Sequence, residues 1–233
     1  MRLCTIWVLD SNLTKIINTD KQKSLKKQFF FLLLCFELIH KYCQRKNMQI
    51  EIENAVQALN QGKIILYPTD TVWGLGCDAT DEEAVEKIFT IKKRSATKSL
   101  IVMVSNFLML RQYVREVPFK AVELMEEATG PLTVIYPESK NLAHNLLAED
   151  GSVGIRIPND EFCKGLISAF GKPIVSTSAN ISGEKPTSVF RELSTEIVNN
   201  VDYVVSYRQE DETICAPSHI VKVDNSGNVI TIR

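Results

Sequence analysis

Apolar positions recur along the chain with two different periods. Over residues 50–60 they fall at Ile52, Val56 and Leu59, the spacing of one helical face, and Gly62 marks a stop. Residues 64–67 then form a continuous apolar run of strand length. Thr80, followed three positions later by Glu83, reads as a capping box opening a helix with Val85, Ile88 and Phe89 on its inner stripe. That helix ends in Lys92-Lys93-Arg94, where exposed cations would complement the helix dipole. Further runs of strand length lie at 100–104, 132–136, 153–157 and 173–176, with a helical stretch at 160–170 and another at 192–198. Residues 203–205 follow, then 220–223 and 229–232, joined by the turn Asp224-Asn225-Ser226-Gly227. Strands alternating with helices, closed by a late hairpin, predict one α/β domain over residues 48–233: a single-domain twisted mixed sheet flanked by helices.

Composition fits one domain of this size, since 233 residues at 45% hydrophobic can bury one large core. Charge is uneven. Residues 1–47 hold nine Lys+Arg against three Asp+Glu, and residues 48–233 hold 18 against 25, a net of −7. An acidic body argues against a protein whose main task is to neutralise a nucleic-acid backbone, although it leaves room for weak RNA contact through a local basic strip. Residues 29–36 are apolar, but Glu37 interrupts the run well short of the ~20 residues that span a bilayer. No small-residue cleavage site follows it. We therefore expect no membrane span, a cytoplasmic protein, and a start at Met48, with residues 1–47 as an N-terminal extension that arises from a start read too early; the alternative is an extension that associates with a membrane. The six cysteines include no Cys-x-x-Cys pair, the three histidines match no ligand spacing, and no P-loop sequence occurs. Reduced thiols and no built-in metal site are the expectation.

The densest candidate chemistry is Leu-Tyr-Pro-Thr-Asp-Thr-Val-Trp-Gly-Leu-Gly-Cys at 66–77. An apolar strand runs there into a bend with two hydroxyls and a carboxylate; Pro68 fixes the exit, and Gly74 and Gly76 would let main chain approach a ligand. A second strand ends similarly, in Ser176-Thr177-Ser178-Ala179-Asn180. Two such endings imply one shared site.

Pro68-Thr69-Asp70-Thr71-Val72-Trp73-Gly74, Lys92-x-Arg94, Gly130-Pro131-x-Thr133, Gly154-Ile155-Arg156-Ile157-Pro158, Ser178-x-Asn180 and Pro217-Ser218 stand in the order and spacing of the YrdC-like family. The resemblance spans residues 50–233 and implies the short form of a threonylcarbamoyl-AMP synthase. Such enzymes join L-threonine, bicarbonate or CO2, and ATP into threonylcarbamoyl-adenylate and pyrophosphate, with Mg²⁺ on the phosphates. A tRNA threonylcarbamoyl transferase then takes the product. By that resemblance Lys92 and Arg94 are catalytic; Arg94, Lys98, Ser152, Ser178, Asn180 and Arg233 bind ATP; and Thr71, Arg156, Ser176 and Ser218 bind threonine. Trp73 is read as packing. The chain departs from the pattern at Ser95, where many members carry proline, and at Met103, where a subset carries a histidine near threonine; a thioether cannot donate that hydrogen bond. Two other functions share the fold: a double-stranded RNA-binding module with a concave basic surface, which the acidic body disfavours, and a carbamoyl-adenylate enzyme of metallocentre maturation. The latter sits in long chains with zinc-finger-like cysteine clusters, a pattern not found in this sequence.

Overall fold

A computed structural model of the chain describes residues 20–94, 100–224 and 226–233. The described residues fall into two units, residues 20–47 and Met48–Arg233, and helix α1 is Asp20–Leu59. In the first unit, Phe29, Phe30, Phe31, Leu32, Phe36 and Leu38 are exposed. Among the described residues, no helix is long and apolar enough to cross a membrane. The second unit begins with the buried stripe Ile52, Ala55 and Leu59, ended by Gly62 at φ +65°.

Nine strands of the second unit join in one sheet: β1 (Ile65–Tyr67), β2 (Gly74–Gly76), β3 (Ile101–Met103), β4 (Leu132–Tyr136), β5 (Val153–Arg156), β6 (Ile174–Ser178), β7 (Tyr203–Val204), β8 (His219–Val223) and β9 (Val229–Thr231). Their order is β7-β1-β2-β6-β3-β5-β4-β8-β9. The pairing is mixed: β1 runs parallel to β7 and β3 to β5, while β2 and β3 both run antiparallel to β6. The helices are α2 (Glu82–Lys92), α3 (Phe107–Tyr113), α4 (Phe119–Glu127), α5 (Glu161–Phe170) and α6 (Thr195–Asn199). Central strands are buried on both faces, so they read as unbroken apolar runs rather than alternating ones. Period two still sorts their side chains. Ile64 and Leu66 join Val85, Ile88, Phe89 and Val102 in one apolar layer, whereas Ile65, Tyr67 and Met103 join Ile52, Leu59, Phe162 and Leu166 in the other.

Three local expectations need correction. Thr80 does not cap α2: Asp78 Oδ1 accepts from both the Thr80 amide at 2.8 Å and its hydroxyl at 2.6 Å, which engages the group a cap would use. Asp81 is the cap, its Oδ1 accepting from the amides of Glu83 and Ala84 at 3.0 and 3.2 Å. The glycine-rich bend is a strand, β2, threaded between β1 and β6. A Cβ on Gly76 would lie 2.7 Å from the Tyr67 ring and 3.0 Å from Ile174, so Gly76 admits a neighbouring side chain, not a ligand, whereas Gly74 lines the cavity at the strand ends as expected. Finally, the helix expected over 192–198 is divided into a 3-10 turn (Phe190–Glu192) and α6, because Ser194 caps the latter through the Glu196 amide. The expected turn at 224–227 closes through the Gly227 amide and Asp224 carbonyl at 3.0 Å; Asn225 lies outside the described residues.

Candidate active site

Several strand ends meet around a cavity of about 340 Å³. The exit of β1 supplies Thr69 and Thr71, β3 supplies Met103, and β4 supplies Thr133. Strand β5 ends in Arg156, β6 in Ser176 to Ser178, and β8 is entered through Pro217 and Ser218. The antiparallel return of β9 along β8 brings Arg233 back to the same wall, where its Nε donates to the Ser218 carbonyl at 3.2 Å. Such convergence needs the full sheet order, because β1, β5, β6 and β8 are far apart in sequence.

Arg156 is 4% exposed. Its Nη1 donates to Thr71 Oγ1 at 3.2 Å, its Nη2 pairs with Asp70 Oδ1, and its buried Nε has no hydrogen-bond partner. Burial pulls its pKa down from the ordinary arginine value, with Asp160 among the charges pulling the other way. Thr71 is itself fixed: its hydroxyl is 3.0 Å from that of Thr69, and its amide donates to Thr69 Oγ1 at 3.0 Å. Thr133 Oγ1 and Ser218 Oγ, which also line the cavity, are 2.9 Å apart. Met103 accepts from the Tyr67 hydroxyl at 3.8 Å, and burial pushes that phenol's pKa upward.

Arg94 reaches the cavity through the end of α2. Lys93 takes the left-handed conformation (φ 49°), and its amide, with that of Arg94, returns to the last carbonyls of the helix. The chain therefore turns sharply after Lys92, aiming Arg94 inward; burial lowers its pKa from the usual arginine range.

Of the residues singled out by sequence, Thr71, Arg94, Arg156, Ser176, Ser178, Ser218 and Arg233 line this cavity. Lys92, Ser152 and Asn180 do not line it, and Lys98, like Ser95, lies outside the described residues. Lys92 is not the exposed helix-end cation that its position predicts. It is 1% exposed, and its ammonium donates to the main-chain carbonyls of Ser178 and, at 2.7 Å, Asn180. Burial, with Arg94 nearby, holds its pKa down to about 8. Asn180 donates from Nδ2 to the carbonyls of Ile181 and Glu184 at 2.9 and 2.8 Å, while its buried Oδ1 has no partner. Ser152 stands at the entry of β5, its amide bonded to Asp150 Oδ1 at 3.0 Å. Trp73 is buried and packs on Phe190 with ring centroids 4.9 Å apart. Sequence reasoning left four neighbours without a role: Tyr67, Thr69, Asp70 and Thr133.

Comparisons with known proteins agree with this architecture. A family model for Sua5, YciO and YrdC proteins, described as "Telomere recombination", matches residues 57–233. Threonylcarbamoyl-AMP synthase of Pseudoalteromonas translucida (strain TAC 125) is 35% identical over 160 residues, covering 67% of this chain and 86% of that protein. The protein of the same name from Xanthomonas euvesicatoria pv. vesicatoria (strain 85-10) is 35% identical over 184 residues, 78% of this chain and 97% of its own length. Among solved structures, P. abyssi Sua5 complexed with L-threonine superposes with a TM-score of 0.69 at 28% identity, over 78% of this chain and 53% of that one. This chain thus spans about half the length of that Sua5. With the family model matching most of its length, the chain belongs to the Sua5/YciO/YrdC family.

Proposed function

We propose that this protein is an L-threonylcarbamoyladenylate synthase, a nucleotidyltransferase that converts L-threonine, bicarbonate or CO2, and ATP into threonylcarbamoyl-AMP and pyrophosphate. The observation that carries this is the pairing of two chemistries in one cavity: Arg156 with Thr71 and other hydroxyls, and the cations Arg94 and Arg233 with Ser178, all lining the same space. Relatives at 35% identity bear the same name.

The reaction asks two things of the protein. Threonine must be held by its carboxylate and hydroxyl so that its amine, converted to a carbamate by CO2, faces the α-phosphate of ATP. The negative charge that accumulates as the carbamate oxygen attacks and pyrophosphate leaves must then be balanced. Arg156, which lines the cavity and keeps its Nε without a protein partner, suits the carboxylate, since a guanidinium is a planar, permanently charged donor to it. Thr71, Ser176 and Ser218 offer hydroxyls of the right size for the remaining polar groups of threonine. Arg94 acts on the reacting phosphate, with Ser178, Arg233, Lys98, Ser152 and Asn180 on the rest of the nucleotide. Lys92 takes part through the turn it ties down, Ser178 to Asn180, and through its positive charge beside Arg94. Magnesium would arrive with the ATP phosphates, since it keeps water and phosphate oxygens as ligands; the polar side chains that line the cavity are cations and hydroxyls, which would face the phosphates themselves. The product passes to a tRNA threonylcarbamoyl transferase, and a cytoplasmic site of action follows from that role.

The experiment is a pyrophosphate-release assay with ATP and Mg²⁺, omitting threonine and bicarbonate in turn. Release that requires both is expected; equal release without threonine, or no release under any condition, refutes the proposal.

A further inference from the structure

The Arg156 guanidinium is held by a carboxylate that does not itself face the cavity. Asp70 is absent from the cavity wall, and both of its oxygens are taken: Oδ1 by Arg156 Nη2, and Oδ2 by the Asn159 amide at 3.2 Å. The Asn159 contact closes a loop around the strand end, since Asn159 lies three residues beyond Arg156 and Asp70 lies in the exit from β1. On its other flank the fork meets Thr71 Oγ1, which is in turn fixed by Thr69. Two of the three guanidinium nitrogens are thereby assigned to protein. The third, Nε, is buried and has no partner. A buried N–H left unpaired is costly unless something else fills the place.

We infer that Asp70 is a positioning residue for amino-acid recognition: it fixes the rotation of the Arg156 fork, which lines the cavity, so that the guanidinium stands ready for a substrate carboxylate. Three consequences follow from the arrangement. The carboxylate neutralises a cation that is 96% removed from solvent, which would otherwise have to be stabilised by substrate alone. A planar fork gripped at one corner can rotate only about its own axis, and the Thr71 contact stops that rotation. The site is therefore set before substrate arrives, and less ordering is left to binding. Because Asp70 does not touch the cavity, its removal should act through Arg156, changing how threonine binds and leaving the handling of ATP nearly intact.

The inference rests on the reading that Arg156 takes the threonine carboxylate, so both are tested together in the full chain. Kinetics of pyrophosphate release are measured for the wild type, Asp70→Asn, Arg156→Lys and the double variant, with thermal melts alongside. Asp70→Asn is expected to raise KM for threonine at least tenfold, to lower kcat no more than about threefold, and to leave KM for ATP within twofold. The double variant should be no worse than Arg156→Lys alone, as required if one residue works through the other. If Arg156→Lys raises the threonine KM while Asp70→Asn does not, the positioning role is overturned and the Arg156 assignment stands. If Arg156→Lys leaves that KM unchanged, the Arg156 assignment itself falls. A rise in the KM for ATP equal to that for threonine would also overturn the inference, since it marks a general loss of structure. Should Asp70→Asn not yield folded protein, Asp70→Glu is the readout: it keeps the charge but displaces the fork, and an unchanged threonine KM in that variant overturns the inference.

Discussion

A lysine sealed under a strand end should leave a signature in the pH dependence of folding. Lys92 is buried with its pKa held down to about 8, against 10.5 for an unperturbed lysine. Between those values the unfolded chain binds a proton that the folded one lacks, so stability rises with pH across the window. The full slope is about 1.4 kcal/mol per pH unit. Two effects reduce what is measured. The carbonyls of Ser178 and Asn180 favour the ammonium and oppose the burial that disfavours it. Above pH 10 the buried phenols of Tyr67 and Tyr136, whose pKa values burial pushes up, resist ionisation in the folded state and lower stability instead. The useful window is therefore pH 8 to 9.5, and the expected gain attributable to Lys92 across it is about 1–2 kcal/mol. Urea denaturation at several pH values, comparing wild type with Lys92→Met, isolates that contribution, because the tyrosines and surface groups are common to both. Lys92→Met should be less stable near neutrality, since the Asn180 carbonyl is left without its donor at about 1–3 kcal/mol while that of Ser178 keeps the Asn180 amide, and should lack the rise. Parallel curves for the two proteins between pH 8 and 9.5 would refute the burial argument.

Arg94→Ala should lower turnover by about 10²-fold or more, with a melting temperature close to that of wild type, because its role is charge stabilisation at the reacting phosphate; near-normal turnover in steady-state assays would reduce it to a helix-end cation. Gly76→Ala should destabilise the fold by about 1–3 kcal/mol in chemical denaturation, since its Cβ would press on the Tyr67 ring and Ile174; an unchanged midpoint would mean that β1 and β6 yield freely. A chain starting at Met48 should fold and release pyrophosphate at the full-length rate, as the buried stripe of α1 begins at Ile52; loss of folding or activity on truncation would show that the extension is required.

Much of the sheet was legible because its central strands are apolar on both faces. Strand β4 has the bounds read from its apolar run, and Asp160 and Gly171 bracket α5 as a cap and a left-handed stop. Strand β2 was not legible. Gly-Leu-Gly carries no strand propensity, and the demand for glycine comes from a ring that only the folded pairing brings near. Helices α3 and α4 are seven and nine residues long, too short to display a clear period. At the site, the hydroxyl-rich strand ends announced themselves as local clusters. The pairing of Arg156 with Asp70 did not, because 86 residues separate them. The burial of Lys92 was invisible for a different reason. Its partners are main-chain carbonyls 86 and 88 residues away, and a carbonyl has no letter in the sequence.

The central claim is that one cavity joins threonine, a one-carbon unit and a nucleotide. Incubating the protein with L-threonine, ATP, Mg²⁺ and ¹³C-bicarbonate, and identifying the adenylate by mass spectrometry, tests it most directly. A threonine-containing adenylate that carries the label, formed in step with pyrophosphate, is the predicted result. Pyrophosphate without that labelled adenylate, or an adenylate whose formation ignores threonine, would contradict the account.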